Sequence, residues 1–387
     1  MFHRDTVART VLTAGLTIAV ALAVNSARTS AKGAGDLIPG KVDLKSAGAL
    51  AFGPNGVLFV ADSAGGAVVA LETNDHTAAA GANVDIQGVD EKIAALVGIP
   101  AADVLINDVA VNPISKRVYL SAARGRGPDA QPLIVRLDAS GAITPLSLDN
   151  IPHASVSLAD APESNATARQ NPRTLTITDM TYVDGNLLVA GMSNEEWSSA
   201  LRTIPYPFKS AEKGTQLQIW HSSHGRYETQ APVRTFVPYS LAGKSYLLAA
   251  YTCTPLVKIP VSDLKPGAQV KGTTIADLGS GNQPLDMVPY KKDGHDYILI
   301  ANSSFGVVKL HADSLATDQA IDSPTVVGAS ASAGAAYDKI TALTNVQHLV
   351  RFDDGRVLVL TAEPGAGPAF ARGPAKGPFR VQAIALP

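Results

Sequence analysis

Short apolar runs come in pairs along this chain, each pair split by a polar turn. Six such units align, namely GALAFGPNGVLFVADS from Gly48, NDVAVNPISKRVYLSA from Asn107, TDMTYVDGNLLVAGMS from Thr178, RTFVPYSLAGKSYLLAAY from Arg234, LDMVPYKKDGHDYILIANS from Leu285 and QHLVRFDDGRVLVLTAE from Gln347. Runs this short, bounded by turn residues, predict strands rather than helices. Pro54-Asn55-Gly56, Asp184-Gly185, Asp293-Gly294 and Asp354-Gly355 supply residues that accept positive φ, so each unit reads as a β-hairpin.

A third apolar run follows each unit: AVVALE, PLIVRLD, QLQIWH, LVKIPV, GVVKLH and FRVQAIAL. RYETQAP, after a His-Ser-Ser-His-Gly turn, reads as a fourth. Strands apolar on both faces fit sheets stacked between neighbours. Repeated about every fifty to seventy residues, they predict an all-β fold, a six-bladed β-propeller of four-stranded antiparallel blades. A seven-bladed ring, with a degenerate blade within 140–177 or 312–345, is the alternative. The last unit ends at Pro387 with three strands, so GKVDLKS at 40–46 is expected to supply its fourth and close the ring. Residues 32–387 then form one domain.

In a propeller the first strand of each blade starts at the mouth of the central channel, on the top face. Heading the six first strands are Ala49, Asp108, Asp179, Thr235, Asp286 and His348. Three carboxylates and an imidazole thus converge near the axis. Asp108, Asp179 and Asp286, with Asn107, are candidate ligands for a hard cation such as Ca²⁺, and His348 is the candidate general base. The competing expectation is structural, because an Asp before an apolar strand commonly accepts hydrogen bonds from nearby backbone amides.

The repeat pattern resembles six-bladed propellers of the NHL and SMP-30/gluconolactonase type over nearly all of residues 32–387. FGPNGVLFVADS is similar to an NHL-type blade, and NDVAVNPISKRVYLS to the Asn-Asp-Gly-containing segment of the lactonases, at Asn107, Asp108, Pro113 and Arg117. The resemblance implies a metal site built from Glu, Asn, Asn and Asp, each one residue before a strand head. Here those places hold Gly48, Asn107, Thr178 and Leu285, so only Asn107 matches.

Long insertions are expected on the top rim. DEKIAALVG, within 74–104, predicts a short helix ending at Gly98-Ile99-Pro100, and SNEEWSSALRTIPYPF, within 191–216, predicts a second helix capped by Ser193 and starting at Asn194. Trp197, Tyr206 and Phe208 are candidate ligand or partner contacts, or else pack on their own propeller. Arg124 and Arg126 are candidate anion contacts, or solvate a loop. His221 and His224 have a metal-ligand spacing, but His-Ser-Ser-His-Gly reads as a solvated turn between third and fourth strands, opposite the Asp cluster. AEPGAGPAFARGPAKGP at 362–378 reads as a top-face loop. Ser303 and Ser304 have no nucleophile-elbow context, and no phosphate loop, haem motif or zinc set appears in the sequence.

Composition agrees with many short strands, at 46% hydrophobic and 17% charged residues, with 33 Gly and 25 Pro. Arg4 and Arg9 precede an apolar stretch from Thr10 to Val24, followed by small residues, which reads as a secretory signal peptide over 1–31 cleaved after Ala23, Ala27 or Ala31. That stretch falls short of the roughly 20 residues of a spanning helix, so the mature chain is expected to be periplasmic or extracellular, without stable membrane insertion. Losing three arginines and Asp5 takes the net charge from −2 to −4, which argues against nucleic acid as a partner. Cys253 is the only cysteine, so no internal disulfide holds the fold. The expected function is an exported propeller binding a small molecule or protein at the channel mouth. A metal-dependent, lactonase-like hydrolase with a rearranged ligand set is the alternative.

Overall fold

The computed structural model describes Met1 and residues 37–387, apart from 79–82, 128, 166, 169, 325–331 and 363–376. Apart from Met1, the expected signal peptide lies outside the described residues, as does most of the Gly/Pro/Ala-rich loop. Among the described residues no helix is long and apolar enough to cross a membrane.

Six sheets form, one on each hairpin unit, and they define an all-β six-bladed propeller. The first blade carries Leu50–Phe52, Val57–Asp62 and Ala67–Glu72, then Ile151–Ser157 and, at its edge, Ile38–Gly40. The second is Val104–Val111, Val118–Arg124, Gln131–Leu137 and Ile143–Pro145. The third is Asp179–Val183, Asn186–Met192, Ser199–Pro205, Thr215–His221 and Arg226–Glu228, with Gln269–Lys271 laid parallel on Thr215–His221. The fourth is Val233–Leu241, Lys244–Tyr251, Pro255–Pro260, Thr273–Asp277 and Ala333–Gly334. The fifth is Pro284–Lys292, His295–Asn302, Gly306–His311 and Tyr337–Lys339, and the sixth is Val346–Arg351, Arg356–Ala362, Phe379–Ala385 and Asp85–Gln87. The segments considered for a seventh blade instead supply outer strands of the first, second, fourth and fifth.

The blades do not follow one another in chain order. Each apolar cluster of the core lies between two blades, and the six clusters give the ring as second, first, third, fourth, fifth, sixth and back to second. Val60 and Leu71 of the first blade meet Tyr119 and Ile134 of the second, while Phe59 and Val68 on the other face meet Leu187 and Ile204 of the third. The two-sided apolar strands seen in the sequence are filled on both sides in this way. Having built three strands of the first blade, the chain crosses to the sixth, builds the second, and only then returns with Ile151–Ser157 to complete the first.

Closure therefore differs from the expectation for 40–46. The fourth strand of the sixth blade is Asp85–Gln87, paired antiparallel with Phe379–Ala385. Arg380 clamps Asp85 through Nε at 2.7 Å and Nη2 at 2.6 Å, and the Phe379 amide donates to Asp90 at 2.8 Å. GKVDLKS instead buries Val42 and Leu44, with Ala47 just after it, between the first two blades and turns Lys41, Asp43 and Lys45 outward. Its alternation seals a blade interface without joining a ladder in the last blade.

The first expected helix is present at Val89–Val97, ending on Gly98 with φ 70°, a left-handed cap that glycine adopts without a Cβ penalty. The second is absent. The Ser193 amide donates to the Ser198 carbonyl at 2.7 Å, so the segment is a tight turn between two strands of the third blade. Ser199–Pro205 pairs with Asn186–Met192 along its whole length, and that ladder overrides the helix-start pattern. It makes SALRTIP the third strand of this blade and QLQIWH the fourth.

If Asp85–Gln87 closes the ring, Ile86→Ala should lower unfolding free energy by about 2–5 kcal/mol, the usual cost of truncating a buried isoleucine. Ile38→Ala, on the exposed edge of the first blade, should change it by less than about 0.5 kcal/mol. Urea unfolding of both variants checks this, and equal losses would contradict closure at 85–87.

Candidate functional site: the axial mouth

Where six inner strands begin around one axis, each first amide needs an acceptor. Around the ring the heads read Asp108, Ala49, Asp179, Thr235, Asp286 and His348, so carboxylates occupy alternate blades. Asp108 accepts from its own neighbour Val109 at 2.7 Å and from Leu50 of the first blade at 2.6 Å. Asp179 accepts from Met180 at 2.7 Å and from Phe236 of the fourth blade at 2.9 Å. Asp286 accepts from Leu349 of the sixth blade at 2.9 Å and meets His348 Nδ1 at 3.0 Å. Each aspartate thus staples its blade to one neighbour. The backbone-acceptor reading of these residues is present at all three.

His348 Nδ1 also stands 3.5 Å from Asp108 Oδ1, bridging the sixth and second blades. Burial alone would lower the His348 pKa, but the carboxylates of Asp286 and then Asp108 outweigh it and hold the ring protonated. Burial raises Asp108, partly offset by His348. Asp179 is pushed by burial up to about 8, more than its bond from Phe236 pulls it down. Below that pH the axis therefore carries less negative charge than three aspartates suggest.

The residues one place earlier form the mouth itself. Four inner strands are bulged here, with the register shifting between Ile106 and Asp108, Val233 and Thr235, Pro284 and Asp286, and Val346 and His348. A bulge sets two residues against one and re-aims the extra side chain. The extra residues are Asn107, Arg234, Leu285 and Gln347, and all four line a cavity of about 220 Å³ together with Thr178, Gln283 and His348. Neighbours such as Asn107 and Asp108 therefore depart from the simple alternation of a regular strand.

Arg234 went unnoticed in the sequence, where an arginine ahead of an apolar run looks like any solvated charge. Its register, shared with Asn107 and Gln347, was the available signal. The Gln283 amide, with its oxygen toward Arg234, accepts from Nη2 at 2.6 Å and Nε at 3.2 Å. Among the described residues no carboxylate pairs with this guanidinium, and burial lowers its pKa unopposed by any acidic neighbour. The contrast is Arg202, fully buried in the third blade, which is held by Asp160 at 2.7 Å and by the Thr176 and Met192 carbonyls.

The other candidates disperse. Asn107 lines the mouth while its Nδ2 donates to Ala47 at 2.8 Å. Trp197 sits in the turn at the upper end of the third blade, where its amide donates to Gln216. Tyr206 and Phe208 follow a strand whose end, Pro205, pairs with Asn186 beside the lower turn. They pack there with Phe59, ring centroids 4.9 and 5.7 Å away, so they are core and not rim. Arg126 donates to the Ala102 carbonyl from Nε at 3.0 Å and also through Nη2, while Arg124 ends its strand exposed.

His221 and His224 are not on the opposite face. Thr215–His221 pairs with Leu201 and Ala200 only at its start and then runs on past the upper end of the blade. This carries the His-Ser-Ser-His-Gly turn to the loop holding Cys253, between second and third strands of the fourth blade.

No protein-family model matches the chain, and no curated protein is matched. Solved structures similar to it include a putative oxidoreductase (glucose dehydrogenase) from Thermus thermophilus, at 11% identity and TM-score 0.33, covering 90% of this chain and 100% of that one. The PQQ-bound aldose sugar dehydrogenase of Streptomyces coelicolor is 12% identical, with TM-score 0.35 and coverage of 90% and 96%. A streptogramin B lyase is 9% identical, with TM-score 0.35 and coverage of 90% and 97%. What defines the class is the chain's own sheets, a six-bladed β-propeller.

The axial charges carry a pH dependence. Asp179 titrates at about 8 when folded and near its ordinary value of about 3.9 when unfolded, so the folded chain keeps a proton that the unfolded chain releases. That stabilisation is complete below about pH 4 and is lost as pH rises to about 8. His348, also raised, contributes with the same sign and is lost as pH passes its folded value. Tm should fall between about pH 5 and pH 9, and Asp179→Asn should flatten the part of the fall below about pH 8. Thermal melts across that range check it, and a Tm that rises with pH would contradict it.

Proposed function

We propose that this chain is an exported binding protein whose axial mouth takes a small carboxylate-bearing molecule anchored by Arg234. The observation that carries the reading is a partly buried guanidinium that opens into a cavity and has no carboxylate of its own among the described residues. Leaving a charge so placed without a counter-ion is costly unless a ligand supplies one. Gln283 occupies the Nε and Nη2 donors on one edge, leaving Nη1 for an incoming oxygen. His348 adds a second positive group at the cavity wall, and Asn107, Thr178 and Gln347 supply neutral polar atoms suited to hydroxyl groups. At about 220 Å³ the space is below the roughly 300–1,000 Å³ of drug-sized pockets, which fits a small ligand.

We read the chain as a divergent relative of the NHL and SMP-30/gluconolactonase type, in which the register implied to carry metal ligands faces the mouth with Asn107, Thr178 and Leu285, beside Arg234. The Arg4 and Arg9 segment supports export.

A metal-dependent hydrolase is the second reading. It rests on Asp108, Asp286 and His348, whose ligand atoms lie within 4.8 Å of one another, the oxygens suiting a hard cation such as Ca²⁺. Against it, both oxygens of Asp108 and of Asp179 already accept backbone amides, and His348 is a cation beside them.

Thermal-shift titration separates the readings. With acetate, gluconate, inorganic phosphate and neutral glucose near pH 6, gluconate should raise Tm in the wild type, not in Arg234→Gln, and less near pH 9, where Asp108 and Asp179 are ionised. No response to either carboxylate, or an equal response in Arg234→Gln, would remove the proposal. A Ca²⁺-dependent rise in Tm lost in Asp286→Asn would favour the hydrolase.

A further inference from the structure

A second cluster lies away from the axis, where the third and fourth blades meet at their upper ends. His221 ends the strand Thr215–His221, His224 closes the short turn after it, and Cys253 sits between the second and third strands of the fourth blade. One ligand atom from each of the three comes within 4.8 Å of the others. The two imidazoles lie face to face, with centroids 4.0 Å apart and planes tilted by 37°.

Their hydrogen bonds leave one nitrogen of each ring in a defined state. His221 Nδ1 meets Glu228 Oε2 at 2.6 Å and His224 Nδ1 meets Oε1 of the same carboxylate at 2.7 Å. Arg226 Nε donates to Oε1 at 3.0 Å and helps fix the carboxylate. A carboxylate on Nδ1 places the proton there and leaves the Nε2 lone pair free, the arrangement that orients histidines bound to metals. His221 is 2% exposed, and its Nε2 is buried with no hydrogen-bond partner. A buried imidazole nitrogen without a partner is costly, and a metal ion would satisfy it.

The cysteine is held in place independently. Cys253 and Thr254 have φ of 62° and 60°, a left-handed pair that non-glycine residues adopt at a cost. The Cys253 amide donates to Asn282 at 2.7 Å and Thr254 Oγ1 to Gly279 at 2.8 Å, so the turn is tied to the chain entering the fifth blade. Asp277 lies close enough for its charge to act on both imidazoles, and its Oδ2 is also buried without a partner.

We propose that His221, His224 and Cys253 form a site for a divalent zinc-type cation, with Glu228 positioning both imidazoles. Two imidazole nitrogens and a thiolate match the preference of Zn²⁺ for nitrogen and sulfur ligands and would exclude Ca²⁺ and Mg²⁺, which take oxygen. Bond lengths of about 2.0–2.1 Å to nitrogen and 2.3 Å to sulfur place tetrahedral ligands roughly 3.5 Å apart. The three ligand atoms, already within 4.8 Å of one another, would draw closer on binding to reach that spacing. Three protein ligands leave a fourth position open to water or to another oxygen donor.

The test uses the purified full chain, freed of metal by chelation, with Zn²⁺ and Co²⁺ as probes. Co²⁺ should give a thiolate-to-cobalt charge-transfer band and the intense visible bands of a tetrahedral ion, and one equivalent of Zn²⁺ should abolish both. Cys253→Ser should lose the charge-transfer band and His224→Gln should weaken Zn²⁺ at least about tenfold. Glu228→Gln should keep the band while weakening Zn²⁺ by about 10–100-fold, the usual size of such an outer-shell loss. Cys253 and His224 are partly exposed, so circular dichroism of their variants should match the wild type. Zn²⁺ should also slow alkylation of Cys253 in the unaltered chain, a readout that needs no variant. Absence of the charge-transfer band, undiminished Zn²⁺ affinity in Cys253→Ser, or alkylation unaffected by Zn²⁺ would each overturn the site.

Discussion

Six sheets brought to one axis leave the first amides of their inner strands facing each other where no further strand can accept from them. Everything at the centre of this propeller follows from how those amides are satisfied. Asp108, Asp179 and Asp286 accept them in alternate blades, so the ring is stapled as three pairs: second with first, third with fourth, fifth with sixth. Further bonds fall on the same pairs, Asn107 to Ala47 and Ser121 to Gly48 in one, Thr178 to Val233 in another. The apolar clusters between blades are continuous around the ring, whereas the aspartate-to-amide staples are paired; His348 with Asp108 and Arg234 with Gln283 then join sixth to second and fourth to fifth.

This commitment decides the electrostatics of the mouth. Burial pushes Asp108 and Asp179 toward the neutral form, more than their backbone bonds pull them back, and the His348 imidazole beside Asp286 and Asp108 is drawn toward the charged one. A trio of aspartates that reads as a cation site is then the structural floor of a cavity whose wall carries a guanidinium and an imidazolium. The bulges at four strand starts make this division of labour workable. They let one residue staple the blades while its predecessor turns into the cavity.

The hairpin units and the residue heading each inner strand were legible because both rest on local rules, alternating apolar runs and turn residues that accept positive φ. The helix ending at Gly98 was legible for the same reason. Blade order was not. It depends on Asp85–Gln87 pairing with a strand that follows it by 295 residues at the Asp85–Arg380 contact, and a three-residue strand carries almost no periodicity. The missed turn at Ser193–Ser198 has the composition of a helix start, and only its pairing with the preceding strand decides against it. The bulges that bring Arg234 into the cavity come from register, which a single strand does not encode, and the meeting of His221 and His224 with Cys253 depends on how far one outer strand overshoots its sheet.

The most direct measurement of the axial charge is a crystal structure of the full chain grown with bromide and recorded at the bromine absorption edge. The account predicts an anomalous peak in the mouth beside the Arg234 guanidinium, on the edge not taken by Gln283. An empty mouth beside Arg234, with a cation bound instead between Asp108, Asp286 and His348, would contradict it.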